Sequence, residues 1–211
     1  GEVTANGRAA PVSEWIRYES IINVAFALQP VTFMCPYDAR ELPEHIMAGA
    51  RRSHRELCHG EAASPSDEFT DVTTLLRALD AEGFDEPAEP VRELALDGDL
   101  HAVRALILGE AKRAGVTGKA TQDAFLAVQQ VVASVVGPGA LRAWVHEGHL
   151  IFEVRDNGSG IGDPLIGQLA SDPALTLEPR GLWMARLLCD LVEVRTSEHG
   201  LIVRLHVSVT A

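Results

Sequence analysis

Residues 153 to 162 read EVRDNGSGIG, placing the carboxylate of Asp156 and the glycines Gly158 and Gly160 directly after an alternating apolar run. A carboxylate at a strand end can accept from an exocyclic amine, and glycines just beyond it let backbone approach a flat ring closely. That chemistry suits a purine, although the same Asp-Asn-Gly run would also cap a plain turn. Further on, PRGLWMAR sets Arg180, Gly181 and Leu182 at the start of a predicted helix. Free amides and the positive dipole end can hold phosphates there. The alternative is a helix opened by Pro179, with Gly181 allowing close packing. Cys35 and the pair His54 and Cys58, one helical turn apart with His59 adjacent, raise a metal site as a third possibility. A metal needs three or four ligands in fixed geometry, so ordinary solvated or core roles are the default for these residues.

The elements that must position these groups follow from periodicity. LHAVRALILGEAKRAGV and GKATQDAFLAVQQVVASVVGPG repeat apolar residues at helical spacing, and each is followed by a glycine. ALRAWVHEGHLIFEVRD alternates on both sides of Glu147-Gly148, which predicts a hairpin with strands near 140–146 and 149–156. RGLWMARLLCDLV is helical, and VEVRTSEHGLIVRLHVSV predicts a second hairpin. Helix, helix, strand, strand, loop, helix, strand, strand makes an α+β two-layer sandwich rather than a doubly wound parallel sheet.

Upstream, residues 13–27 have helical spacing with Ser13 as N-cap, VTFMC predicts a short buried strand ended by Pro36, and Pro43 opens a helix to about Leu57. One strand cannot make a sheet, so this region must pair with something else. Three units are expected: residues 1–60, part of an α/β domain; residues 61–98, an acidic linker with one short amphipathic helix in VTTLLRALDAEG; and residues 99–211, the sandwich.

The net charge is −12, and residues 61–99 carry 12 acidic side chains against two arginines. Residues 100–211 are nearly balanced, with 11 acidic and 10 basic groups. No basic face is evident to neutralise phosphates, which disfavours nucleic acid as a partner. No apolar run reaches membrane-spanning length and no signal region opens the chain, so a cytoplasmic protein without a membrane partner is expected. Three scattered cysteines read as reduced thiols. Trp144 and Trp183 read as core or interface residues.

With DNGSG and RGL in this element order, residues 99–211 resemble the ATP-binding domain shared by histidine kinases, gyrases, heat-shock chaperones and mismatch-repair ATPases, the Bergerat fold, in the subtype of anti-sigma-factor serine kinases. The resemblance implies that Asp156 contacts the adenine amine, that Gly158 and Gly160 border base and lid, that Arg180, Gly181 and Leu182 open the helix beside the phosphates, and that residues 161–179 form a lid. The family also carries a glutamate as base and, four residues on, an asparagine that binds magnesium. Gln130 and Ser134 stand at those positions here. A glutamine amide cannot take up a proton, so no catalytic residue is assigned. A serine hydroxyl is a shorter ligand for a cation that demands octahedral oxygen geometry, so magnesium binds weakly or rests on the phosphates alone, and no metal residue is assigned. The lid, with Leu165, Ile166, Leu169, Leu175 and Leu177, has no basic residue before Arg180. A degenerate site that binds ATP weakly or not at all is expected.

RYESIINVAF, MCPYDARELP and ARRSHREL, in order and at the expected spacing, resemble the C-terminal part of the sensory domain named MEDS, for methanogen/methylotroph sensory. That domain is longer at its N-terminus, which would set Gly1 in mid-domain. Such domains precede anti-sigma-type ATPase domains in bacterial regulators. Together the resemblances imply a signalling regulator that binds a protein partner, an anti-sigma-factor antagonist or a sigma factor. The alternatives are an active serine kinase, with Glu110 replacing the glutamate, and a non-catalytic module that forms a homodimer.

Overall fold

Both apolar periods in the middle of the chain form helices, α4 at Leu100–Ala114 and α5 at Gly118–Val132. The structure is a computed structural model, and it describes residues 4–5, 8–9, 11–60, 62–135, 138–158, 163–168, 178–197 and 200–209. The chain divides into two compact units, Gly1–Leu79 and Asp80–Ala211. It is a mixed α+β fold whose described strands pair antiparallel throughout.

In the first unit, β1 (Thr4–Ala5) pairs with β2 (Arg8–Ala9), followed by α1 (Val12–Ala25), α2 (Glu44–Ser53) and the hairpin of β3 (Glu56–His59) with β4 (Ala62–Pro65). Helix α1 starts after Pro11, whose side chain makes no cap, so the expected Ser13 N-cap is replaced by Pro11 at that place. Helices α1 and α2 pack because Gly49 leaves room: a Cβ there would stand 2.8 Å from Ile16 Cδ1. Asn23 Nδ2 donates to the Ser53 carbonyl at 2.8 Å, tying the end of α2 to α1.

Two expectations are corrected here. VTFMC is not a buried strand: residues 31–35 are irregular, pair with no described strand, and expose Val31, Phe33 and Met34. Five residues between Pro30 and Pro36 have no neighbouring ladder to satisfy their amides, so apolar content alone does not make them a strand. Helix α2 ends at Ser53 rather than near Leu57, because His54 takes an extended backbone (φ −109°, ψ 132°) and the chain turns into β3. Cys58 therefore lies exposed on a strand, and the helix face proposed for His54 and Cys58 does not exist.

Helix α3 (Val72–Ala81) is the amphipathic helix expected there, with Val72, Leu75, Leu76 and Leu79 buried at helical spacing. The second unit holds a five-stranded sheet of β5 (Arg92–Leu96), β6 (Gly139–His146), β7 (His149–Asp156), β8 (Leu191–Ser197) and β9 (Gly200–Ser208), in the order β5-β6-β7-β9-β8. The β6–β7 turn sits at Glu147 and Gly148, both at positive φ (44° and 75°), the conformation of a two-residue hairpin whose twist matches its strands. Helix α6 (Glu178–Leu188) connects the two hairpins.

Alternation divides the sheet's faces. Leu141, Ala143, Leu150, Phe152, Val154, Val192, Val194, Leu201, Val203 and Leu205 pack into one apolar core with Val103 and Ile107 of α4, Ala124, Val128 and Val131 of α5 and Leu182 and Ala185 of α6. The other face is polar, and the segment 80–89 lies along it. Phe84 stacks under the guanidinium groups of Arg195 and Arg204, at 4.5 and 4.3 Å from its ring centroid. Glu86 accepts from Arg142 at 2.7 Å and Arg155 at 2.6 Å, and Glu89 meets His146. At the centre Glu153, wholly buried, accepts from Arg142, Arg155 and Arg204 at 2.8, 2.6 and 2.7 Å. Burial pushes its carboxyl up, but the guanidinium groups of Arg204 and Arg155 hold it below the ordinary carboxylate range. The stretch 61–98 thus contains the expected helix and also supplies β4, β5 and this strap. Within it, the Glu86 carboxylate is held by Arg142 and Arg155, more than fifty residues away.

Candidate functional site

Asp156 is the last residue of β7, flanked in register by Gly139 of β6 and Leu201 of β9. Its parity with Phe152 and Val154 places it on the helix-facing side of the sheet, where it is 7% exposed. The backbone N–H of Gly158 donates to its Oδ1 at 2.8 Å, so the carboxylate shapes the start of the loop. A carboxylate has further acceptor positions, so capping this turn and accepting from a ligand are compatible roles. Gly160 lies outside the described residues.

Gly181 and Leu182 stand in the first turns of α6, both buried. Arg180 belongs to the same turn, with its side chain outside the described set. A Cβ on Gly181 would lie 2.9 Å from the carbonyl oxygen of Gln130, so this glycine lets α6 approach α5. Of the expected lid, residues 163–168 are described. Ile166 enters the core, and Gly167 presses on Leu182, with a Cβ there only 2.3 Å from Leu182 Cβ. Arg186 Nε donates to the Gly167 carbonyl at 3.0 Å and its Nη1 to the Val192 carbonyl at 2.7 Å. This part of the loop is packed against α6 and the sheet. Leu169, Leu175 and Leu177 fall outside the described residues.

On α5, Gln130 is exposed, and Ser134 just past the helix end donates back to the Val131 carbonyl at 2.6 Å. Glu110, on α4, is buried and ion-paired with Arg113 one turn along the same helix. Among the described residues, two adjoining clefts open elsewhere, between α4 and α5. The larger, about 340 Å³, is lined by Leu100, Arg104, Phe125 and Gln129, with Arg104 stacked on Phe125.

A second constellation lies in the first unit. Glu19 of α1 shares with Ile16 and Asn23 the side that meets α2, which brings its carboxylate to the C-terminal end of that helix. There His54 folds back so that Nδ1 lies 2.9 Å from the Ala50 carbonyl, while Nε2 lies 3.2 Å from Glu19 Oε2. Cys35 completes the group: one ligand atom from each of Glu19, Cys35 and His54 falls within 4.8 Å of the others. The Tyr37 ring packs edge-on against both Trp15 and His54 at 5.7 Å.

The electrostatics match this crowding. The Glu19 carboxylate raises the His54 pKa above its ordinary value, against desolvation. Burial pushes the Glu19 carboxyl up, but His54 first, then Cys35 and Tyr37, hold it below the usual range. Burial and the nearby carboxylate push the Cys35 thiol up to about 11 and the Tyr37 hydroxyl higher still. Glu19 was not found by sequence reading, since nothing local links it to residues 16 and 35 positions away. His54 and Cys35 were singled out, but with Cys58 as the partner instead of Glu19. All three cysteines are free thiols.

The family profile of MEDS, the MEthanogen/methylotroph, DcmR Sensory domain, matches residues 1–55. The chain therefore carries a MEDS-like sensory segment, and Glu19, Cys35, Tyr37 and His54 all lie within it. A search of curated proteins finds no match to the chain. No described helix is long and apolar enough to cross a membrane.

Proposed function

We propose that the chain is a signalling regulator in which the MEDS-like segment is joined to a degenerate ATP-binding module of the Bergerat type, similar to anti-sigma factors, that acts by binding a protein partner. The observation carrying this reading is the position of Asp156: last residue of the central strand, on the helix-facing side, bonded to Gly158, in a sheet of order β5-β6-β7-β9-β8 with helices before β6 and between β7 and β8. This arrangement supports an adenine-facing carboxylate.

The residues at the end of α5 support degeneracy. Gln130 cannot take up a proton, and Ser134, whose hydroxyl donates to the Val131 carbonyl, offers a shorter side chain than asparagine and no carbonyl oxygen for a cation. Phosphoryl transfer depends on positioning and on neutralising charge, and neither residue supplies these as a glutamate and an asparagine would. The active-kinase reading has no comparable support, since Glu110 is engaged by Arg113.

Calorimetric titration with ATP, with and without magnesium, tests the pocket. Weak binding abolished by Asp156→Ala and indifferent to magnesium is expected. Phosphate transfer from labelled ATP to an antagonist serine by the native chain would refute the degenerate reading. Pull-down against an antagonist or a sigma factor tests the partner, and a chain that captures neither contradicts the regulatory role.

A further inference from the structure

We infer that Glu19, Cys35 and His54 form a binding site for a single borderline-soft divalent cation, Zn²⁺ being the fitting ion, with one coordination position left for water or a small donor ligand. This proposal concerns the first unit and is independent of the nucleotide reading.

The ligand set argues for the ion. One imidazole nitrogen, one thiolate sulfur and one carboxylate oxygen suit Zn²⁺, whereas Mg²⁺ and Ca²⁺ select all-oxygen cages. Tetrahedral zinc with bonds of about 2.0–2.3 Å needs its ligand atoms roughly 3.3–3.6 Å apart. Glu19 Oε2 and His54 Nε2 are already 3.2 Å apart, and the whole set lies within 4.8 Å, so closure on a metal requires side-chain adjustment of about 1 Å rather than backbone rearrangement.

The surroundings argue for the site. Nδ1 of His54 is directed to the Ala50 carbonyl, the partner that leaves Nε2 as the coordinating nitrogen in metal-bound histidines. The Glu19 side chain is 10% exposed and its Oε2 lies 3.2 Å from His54 Nε2, so the carboxylate already faces the other ligand atoms. A Zn²⁺ ion held by one carboxylate, one thiolate and a neutral imidazole would make the buried cluster electrically neutral. The Cys35 proton, and any on Nε2, leaves to solvent as the ion binds. Three protein ligands are the complement of an open zinc site, while closed structural sites use four.

The test is titration of the chelator-treated chain, residues 1–211, with Co²⁺, followed by displacement with Zn²⁺. One cobalt per chain, a thiolate-to-cobalt charge-transfer band and loss of that band on adding Zn²⁺ are expected. Cys35→Ser should abolish the band, His54→Gln should weaken binding by about tenfold or more, and Cys58→Ser and Cys189→Ser should retain it. A native chain without the band, or a Cys35→Ser chain that keeps it, overturns the site. Circular dichroism establishes that each variant is folded. If Cys35→Ser does not fold, the Glu19→Gln/His54→Gln variant decides, and an undiminished cobalt affinity there refutes the assignment.

Discussion

Gly200 sits so close to Asp156 that a Cβ on the glycine would stand 1.8 Å from the aspartate's carbonyl oxygen. The β8–β9 hairpin is thereby pressed onto the end of β7, where the proposed adenine contact begins. Gly200 also has a φ of +138°, a backbone conformation that L side chains rarely adopt. Gly200→Ala is expected to lower stability by about 1–3 kcal/mol and to lower the melting temperature correspondingly. An unchanged melting curve would show that the two strands do not meet in this way.

Gly181 tests packing against ligand binding. Its close approach to the Gln130 carbonyl predicts that Gly181→Ala forces α5 and α6 apart, at a cost of about 1–3 kcal/mol for an overpacked contact. The loss should appear in thermal melts without nucleotide. A glycine needed only to admit phosphate would leave those melts unaltered.

Phe84 holds the strap to the polar face of the sheet through Arg195 and Arg204. Removing its ring in Phe84→Ala should cost about 1–2 kcal/mol, the scale of two partly desolvated cation–π contacts. Amide exchange across residues 80–90 should quicken while the core strands β7 and β9 stay protected. Equal protection of the strap in both chains would contradict the contact.

Glu86 gives the strap a pH dependence. Hydrogen bonds from Arg142, then from Arg155, lower its pKa from 4.5 to about 2. A carboxyl whose folded pKa is depressed stabilises the fold above its unfolded pKa and loses that contribution as pH falls through the folded value. The strap should therefore loosen between about pH 4.5 and 2, and Glu86→Gln should remove this part of the acid transition. Because the side chain is 63% exposed, the effect should be under about 1 kcal/mol and should shrink with added salt. Acid titration of melting temperature in both chains, at low and high salt, measures it.

Much of the second unit was legible in the sequence. The β6–β7 hairpin, its turn at Glu147-Gly148 and the helices α4, α5 and α6 follow from local periodicity and turn chemistry, and the structure has them within a few residues. The edge strand β5 was missed, because Arg92–Leu96 carries two charges in an acidic stretch and becomes a strand only by pairing with β6. VTFMC failed in the opposite direction, having the composition of a strand but no partner among the described ones. The site residues divide likewise: Asp156 and Gly158 stand together as neighbours must, while Gly181 proved to touch Gln130, a contact no spacing rule contains.

By itself, then, the amino-acid order determined the helices α3 to α6, the β6–β7 and β8–β9 hairpins and which face of those four strands is apolar, since these depend on side chains a few positions apart. Tertiary structure alone decided that Glu86 would meet Arg142 and Arg155, and that Glu19, Cys35 and His54 would meet at the end of α2. Such encounters depend on how helices pack and on the order in which strands join the sheet. Each brings together residues separated by many positions, and the free energy that selects them belongs to the folded unit, not to any single stretch of chain.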